Sequence, residues 1–142
     1  MVLISLDNAA AVLAGALSKG AELDLKPLTV AVLDAGGHLI ALQRQDGSST
    51  LRPQIAIAKA SSALSLGLSS RKIGEMALER PAFVASLNSI ASNGIIPAAG
   101  GVIVTDTEGR PIGAVGVTGD TSDNDEMCAL SGIAAAGLHA QM

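Results

Sequence analysis

The chain has 142 residues, 49% of them hydrophobic and 15% charged, with a formal net charge of −4. That length suits one ordinary domain, and the apolar content excludes a disordered polyelectrolyte. With no Lys/Arg-rich stripe, one Phe and no Trp or Tyr, it lacks both the charge to neutralise phosphates and the rings to stack on bases, so no nucleic-acid partner is expected.

In chain order, Ser5 is placed to N-cap a first helix, in which Ala9, Val12, Leu13, Ala16 and Leu17 form one apolar stripe. Gly20 weakens the end of that helix. From Leu28 to Leu33 the pattern reads as a mostly buried strand, and Asp34-Ala35-Gly36-Gly37 supplies turn chemistry. His38 to Gln43 returns as the second strand of a hairpin. After a loop over Asp46–Thr50, Pro53 suits the first turn of a helix with a stripe of Ala56, Ile57, Ala60, Ala63 and Leu64. Gly67 marks its stop. Ser69 or Ser70 caps a further helix to about Glu79, Pro81 interrupts, and Ala82–Ala91 reads as helical, ending at Asn93-Gly94.

Ile95–Gly101 is a Gly/Pro-rich apolar loop. Val102–Thr105 and Pro111–Thr118 form a second hairpin around Asp106–Arg110. The last helix starts in Ser122–Glu126, with Asp123 and Glu126 spaced like a capping box. Met127, Leu130, Ile133, Ala134 and Leu138 are its predicted apolar face. The order α-β-β-α-α-β-β-α predicts an α+β layered domain, residues 1–142, with an antiparallel sheet of two hairpins flanked by helices.

Cys128 is the only cysteine, which excludes an intrachain disulfide and a Cys-rich zinc site. The first residues carry no basic n-region, and no apolar run approaches the roughly 18 residues of a membrane helix. A cytoplasmic protein without membrane contact is expected. A core of small aliphatic residues with 16 Gly favours a homo-oligomer that buries surplus apolar surface.

Few residues offer chemistry. Val117-Thr118-Gly119-Asp120 leads from a strand to a helix N-terminus, where free N–H groups suit a carboxylate or phosphate. Asp120, Asp123, Asp125 and Glu126 crowd the same turn, and their ordinary role is to stabilise that terminus. The alternative is that Asp125 or Glu126 enters a pocket as acceptor or general base. Lys59, alone in an apolar helix, either reaches solvent or pairs with a buried acid or anionic ligand; solvation is expected. Arg44 and Asp46 close the first hairpin and are placed to pair with each other. His38 and His139 have no partner at metal-ligand spacing, and Cys128 reads as packing.

The series Val32-Leu33-Asp34-Ala35-Gly36-Gly37-His38-Leu39, Arg44-Gln45-Asp46-Gly47, Ile57-Ala58-Lys59-Ala60, Gly116-Val117-Thr118-Gly119 and Asp125-Glu126-Met127-Cys128-Ala129 resembles the GlcG/HbpS family, which includes the C-terminal domain of PduO-type proteins. The resemblance spans nearly the whole chain in order. It implies a profilin-like layered domain that assembles into dimers or larger rings. It also implies haem or another small carboxylated ligand, with relatives tied to haem degradation, redox sensing, or catabolism of glycolate, diols or aromatics. Gln45 stands where the family motif has Met. The secreted haem-binding branch carries a signal peptide, and none is expected here. Of the possible axial ligands to haem iron, this chain offers His38, His139, Cys128 and four Met.

The resulting expectation is a pocket between Gly100-Gly101, Thr118-Gly119 and the helix near Asp125, with Lys59 opposite to neutralise a ligand carboxylate. Arg44 and Asp46 are further ligand-binding candidates, and His38 is the candidate iron ligand. The rival expectation is a tautomerase, deaminase or lyase in which Lys59 is the electrophilic or imine-forming group and Asp125 or Glu126 the general base.

Overall fold

The computed structural model describes residues 3–141. Helix α1 (Leu6–Glu22) starts at Ser5, whose Oγ accepts from the Asn8 amide while the Asn8 side chain accepts from the Ser5 amide, a reciprocal cap. Strands β1 (Thr29–Asp34) and β2 (Leu39–Arg44) form the first hairpin. Helix α2 (Arg52–Leu66) carries Pro in its first turn and stops at Gly67, which is left-handed with φ +71°. Helices α3 (Ser70–Glu79) and α4 (Pro81–Ser86) follow. Strands β3 (Gly101–Thr105) and β4 (Pro111–Thr118), helix α5 (Ser122–Ala135) and a two-residue strand β5 (His139–Ala140) complete the chain.

The sheet is antiparallel throughout, in the order β2-β1-β4-β3-β5. The two predicted hairpins therefore meet through β1 and β4, and β5 is a strand the sequence pattern did not announce. β1 and β4 are buried along almost their whole length, whereas β2, at one edge, is half exposed. Both faces are covered. On one, Val30, Val32, Val115 and Val117 pack with Val12, Ala16, Cys128 and Ile133 of α1 and α5. On the other, Leu33 and Ala114 pack with Ala60, Ile57 and Leu64 of α2.

Two glycines determine how closely these layers approach. A Cβ at Gly116 would overlap the carbonyl oxygen of Ala56, so α2 lies backbone-to-backbone on β4. A Cβ at Gly132 would stand 2.5 Å from the Val12 carbonyl oxygen, so α5 rests on α1 in the same way. Side chains at these points would hold the layers apart and open voids along the seam.

Three local expectations are corrected. Ala82–Ala91 is not one helix: α4 ends at Ser86 and a 3-10 turn covers Leu87–Ser89. There Ser86, Asn88 and Ser89 bond the carbonyls of Phe83, Ala85 and Ser86, competing with the helical ladder. The buried face of α5 is Asp125, Cys128, Ala129, Gly132 and Ile133, with Met127 and Leu130 exposed. The small residues turn inward because α1 comes so close. Finally, the N-cap of α5 is Thr121, accepting from the Asn124 amide, so Asp123 and Glu126 are free of any capping box.

Candidate functional site

The residues expected to line a pocket do converge, around the end of β4. Lys59 projects from α2 and donates from Nζ to the Val117 carbonyl at 3.0 Å and to Asp125 Oδ2 at 3.1 Å. Asp125 Oδ1 accepts from the Asp120 amide at 2.9 Å. Gly100, with φ +129°, and Gly101 pack directly on Lys59; a Cβ at Gly100 would meet Nζ at 2.8 Å. Thr118 Oγ1 accepts from Arg52 Nη1 at 2.7 Å. Gly119, with φ +142°, packs its backbone against Pro27 and Leu28.

This cluster is closed. Lys59 is 3% exposed and Asp125 1%, so the expectation of a solvated Lys59 is corrected. The ammonium is held by two acceptors that balance its desolvation, one of them charged. Burial pushes the Lys59 pKa down, with Asp125 opposing, and pushes the Asp125 pKa up, with Lys59 opposing.

Glu126 is turned away from this pair. It accepts from Arg71 Nε of α3 at 2.9 and 3.1 Å, and Asp123 accepts from Arg71 Nη2. Arg71 was not singled out in the sequence, although it carries a signal: a cation in the first turn of α3 opposes the helix dipole. Such a placement points to an acid supplied from elsewhere.

Arg44 and Asp46 form no ion pair with each other among the described residues, correcting that expectation. Both are exposed and line an open cleft of about 610 Å³ with Leu17, Leu25, Pro27 and Gln45. Gln45 accepts from the Leu28 amide at 2.7 Å and so closes the loop onto β1.

His38 lies elsewhere again. Val117, whose carbonyl holds Lys59, pairs with Val30, which pairs with Gln43; His38 precedes the opposite end of β2. Its side chain is 82% exposed, and Nδ1 stands 3.3 Å from Asp34 Oδ1. Asp34 Oδ1 also accepts from the amides of His38 at 2.9 Å and Gly36 at 3.0 Å. The His38 amide, with help from Gly36, holds the Asp34 carboxyl below its usual range. Around this imidazole is a cleft of about 420 Å³ formed by the hairpin turn, Ser61, Leu64 and Ser65 of α2, and Ser92 and Asn93. The expected iron ligand and the expected carboxylate pocket are therefore two places.

The other donors for haem iron fit less well. Cys128 is fully buried, and burial pushes its thiol up to about 11. Met76 packs in an apolar cluster of α3 and α4, while Met127 is exposed. His139, exposed on β5, has no carboxylate partner among the described residues. Met1 and Met142 lie outside the described residues. Among the described residues, no group of three or more His, Cys, Asp or Glu could hold a bare metal ion.

A family model described as haem-degrading protein, HbpS-like, matches residues 4–134. Similar solved structures include a PduOC:heme complex, 20% identical, with a TM-score of 0.87 over 99% of this chain and 100% of that one. At that identity the likeness speaks for the fold. ORFY of Klebsiella pneumoniae is 29% identical, with a TM-score of 0.85 over 96% and 93% of the two chains. HbpS is 26% identical, with a TM-score of 0.82 over 94% and 90%. No curated protein matches the sequence.

Proposed function

The chain belongs to the HbpS-like family, and from that premise we propose that it is a haem-binding protein with His38 as the iron ligand. The observation that carries this reading is the Asp34–His38 contact. Nδ1 stands 3.3 Å from a carboxylate held by two amides, and the exposed ring leaves Nε2 accessible to a metal. A carboxylate behind a ligating histidine is a recurrent support for such a ligand. Among the donors described, His38 alone joins exposure with such support.

Haem, when bound, would supply a redox-active iron. The chain's own part is narrower. Asp34 stands beside Nδ1, the Gly36 and His38 amides hold Asp34 in place, and Ser61, Ser65 and Asn93 offer polar groups around the cleft. The Lys59–Asp125 pair is read as a tie between layers, since an ammonium bonded to a carbonyl and a carboxylate in the interior has no path to a carbonyl substrate. The protein is further proposed to work as a cytoplasmic homo-oligomer of this one domain. Leu3, Leu6, Leu51, Leu78 and Ile90 are all exposed, apolar surface that other copies would cover. No helix among the described residues is long and apolar enough to cross a membrane.

Haemin titration followed through the Soret band, with His38→Ala alongside, tests the reading. A saturable, stoichiometric spectrum that changes in the variant is expected. Slow, nonstoichiometric uptake that is equal in both proteins would defeat it.

A further inference from the structure

Arg52 repeats at α2 the arrangement that Arg71 shows at α3. Each is a cation in the first turn of a helix, where it opposes the dipole. Arg71 is met by Asp123 and Glu126. Arg52 is met by no acid among the described residues. Its Nη1 donates to Thr118 Oγ1, a neutral acceptor. The first turn of α2 contains no acidic residue, and its N-cap, Leu51, offers no side-chain acceptor. Arg52 is close enough to Lys59 that its charge adds to the lowering of the lysine pKa by burial. Lys59 is already matched by Asp125, so the charge of Arg52 is a surplus.

A second observation lies on the sheet beside it. Thr29 is fully buried, and its Oγ1 has no hydrogen-bond partner. A buried hydroxyl left unmet is costly and uncommon. Thr29 stands directly opposite Thr118 of β4 on one side and Arg44 of β2 on the other. Opposed residues share a face of the sheet, so this hydroxyl lies in one row with Arg44 and the Thr118–Arg52 bond, on the side of α2. Arg44 is exposed and also has no acidic partner among the described residues, and Asp46, two residues on, pairs with neither arginine. The ends of the row are two strand spacings apart, about 10 Å, a gap that two arginine side chains can close on one small ion.

We propose that this row binds a small oxyanion carrying two negative charges, of the phosphate or dicarboxylate type. Arg52 and Arg44 hold its oxygens from either side, the Thr29 hydroxyl donates a further bond, and the first turn of α2 adds a favourable field. Arg44 ends β2, whereas His38 precedes its start. The site is thus separate from the proposed iron ligand, and its failure leaves the haem reading untouched.

Calorimetric titration with inorganic phosphate and with succinate, at constant ionic strength, tests it on the wild type, Thr29→Val, Arg52→Gln and Lys72→Gln. Thr29→Val keeps the shape and removes only an unbonded hydroxyl, so its denaturation midpoint should equal or exceed that of the wild type. Lys72, exposed on α3 without an acidic partner among the described residues, controls for the loss of one positive charge. At least one of the two ions is expected to bind saturably, one per chain, and the stronger of them tells phosphate from dicarboxylate. Thr29→Val and Arg52→Gln should each weaken it by about tenfold or more, the size of a lost hydrogen bond to a charged group. Lys72→Gln should match the wild type. No saturable binding of either ion, wild-type affinity in Thr29→Val or Arg52→Gln, or equal weakening in Lys72→Gln would overturn the proposal.

Discussion

Lys59 and Asp125 meet at 3.1 Å although α2 and α5 lie on opposite faces of the sheet. The contact is possible only past the end of β4, where Gly100 and Gly101 leave room for the lysine stem and Val117 offers its carbonyl. It joins the two helical layers across 66 residues of sequence. Removing one partner leaves the other charge buried and uncompensated, which costs about 3–5 kcal/mol. Lys59→Met is therefore expected to lose stability on that scale in a denaturant titration. Adding Asp125→Asn should recover much of it, because the amide oxygen still accepts from the Asp120 amide without a charge. A double variant no more stable than Lys59→Met would show that the pair is not coupled.

Cys128 provides a reporter of opening. With its thiol pushed up to about 11 by burial and no surface exposure, almost none is thiolate near pH 8. Alkylation in native buffer should be slow and should accelerate in step with unfolding by denaturant. Rapid labelling of the folded protein would contradict the packing of α5 against α1.

Asp120 should titrate far into acid. The Asn124 side chain, then the Lys26 and Thr121 amides, hold its carboxylate and lower its pKa to about 2. Because the folded value lies below the unfolded one, the stability it contributes is complete above the ordinary carboxylate range and is lost as pH falls toward 2. Carboxyl chemical shifts should give a midpoint near 2 for Asp120. In Asp120→Asn the acid limb of the stability profile should flatten; an unchanged limb would remove Asp120 from the acid response.

Gly116 and Gly37 should respond to alanine for different reasons. At Gly116 the new methyl meets the backbone of Ala56 and Ala60, which cannot yield without lifting α2 off the sheet. A loss of about 3 kcal/mol is expected. At Gly37, with φ +84° and open space around it, only backbone strain opposes the change, about 1–2 kcal/mol. Equal effects on the denaturation midpoint would mean the α2–β4 seam is looser than described.

Most elements were legible because they are announced locally; β5 and the 3-10 turn over Leu87–Ser89 were not. Ser5 with Asn8 makes a cap within one turn, Asp34 binds the amides of its own hairpin turn, and Pro53 and Gly67 bracket α2. The site was legible only as a set of names. Lys59, Asp125, Gly100, Gly101, Thr118 and Gly119 do gather, yet nothing in their spacing tells a closed ion pair from an open pocket. Arg71 escaped notice because its two acids lie 52 and 55 residues away.

By itself, then, the order of caps, turns and apolar periods determined most of the helices, the four long strands and that they layer as α+β. Which face of α5 turns inward, where Lys59 ends, and the placing of His38 and the pair at opposite ends of the sheet were decided by the tertiary structure. Those outcomes depend on how closely backbones approach at Gly116 and Gly132 and on partners dozens of residues apart. Burial and pairing energies are properties of a three-dimensional neighbourhood, and a local sequence window contains none of it.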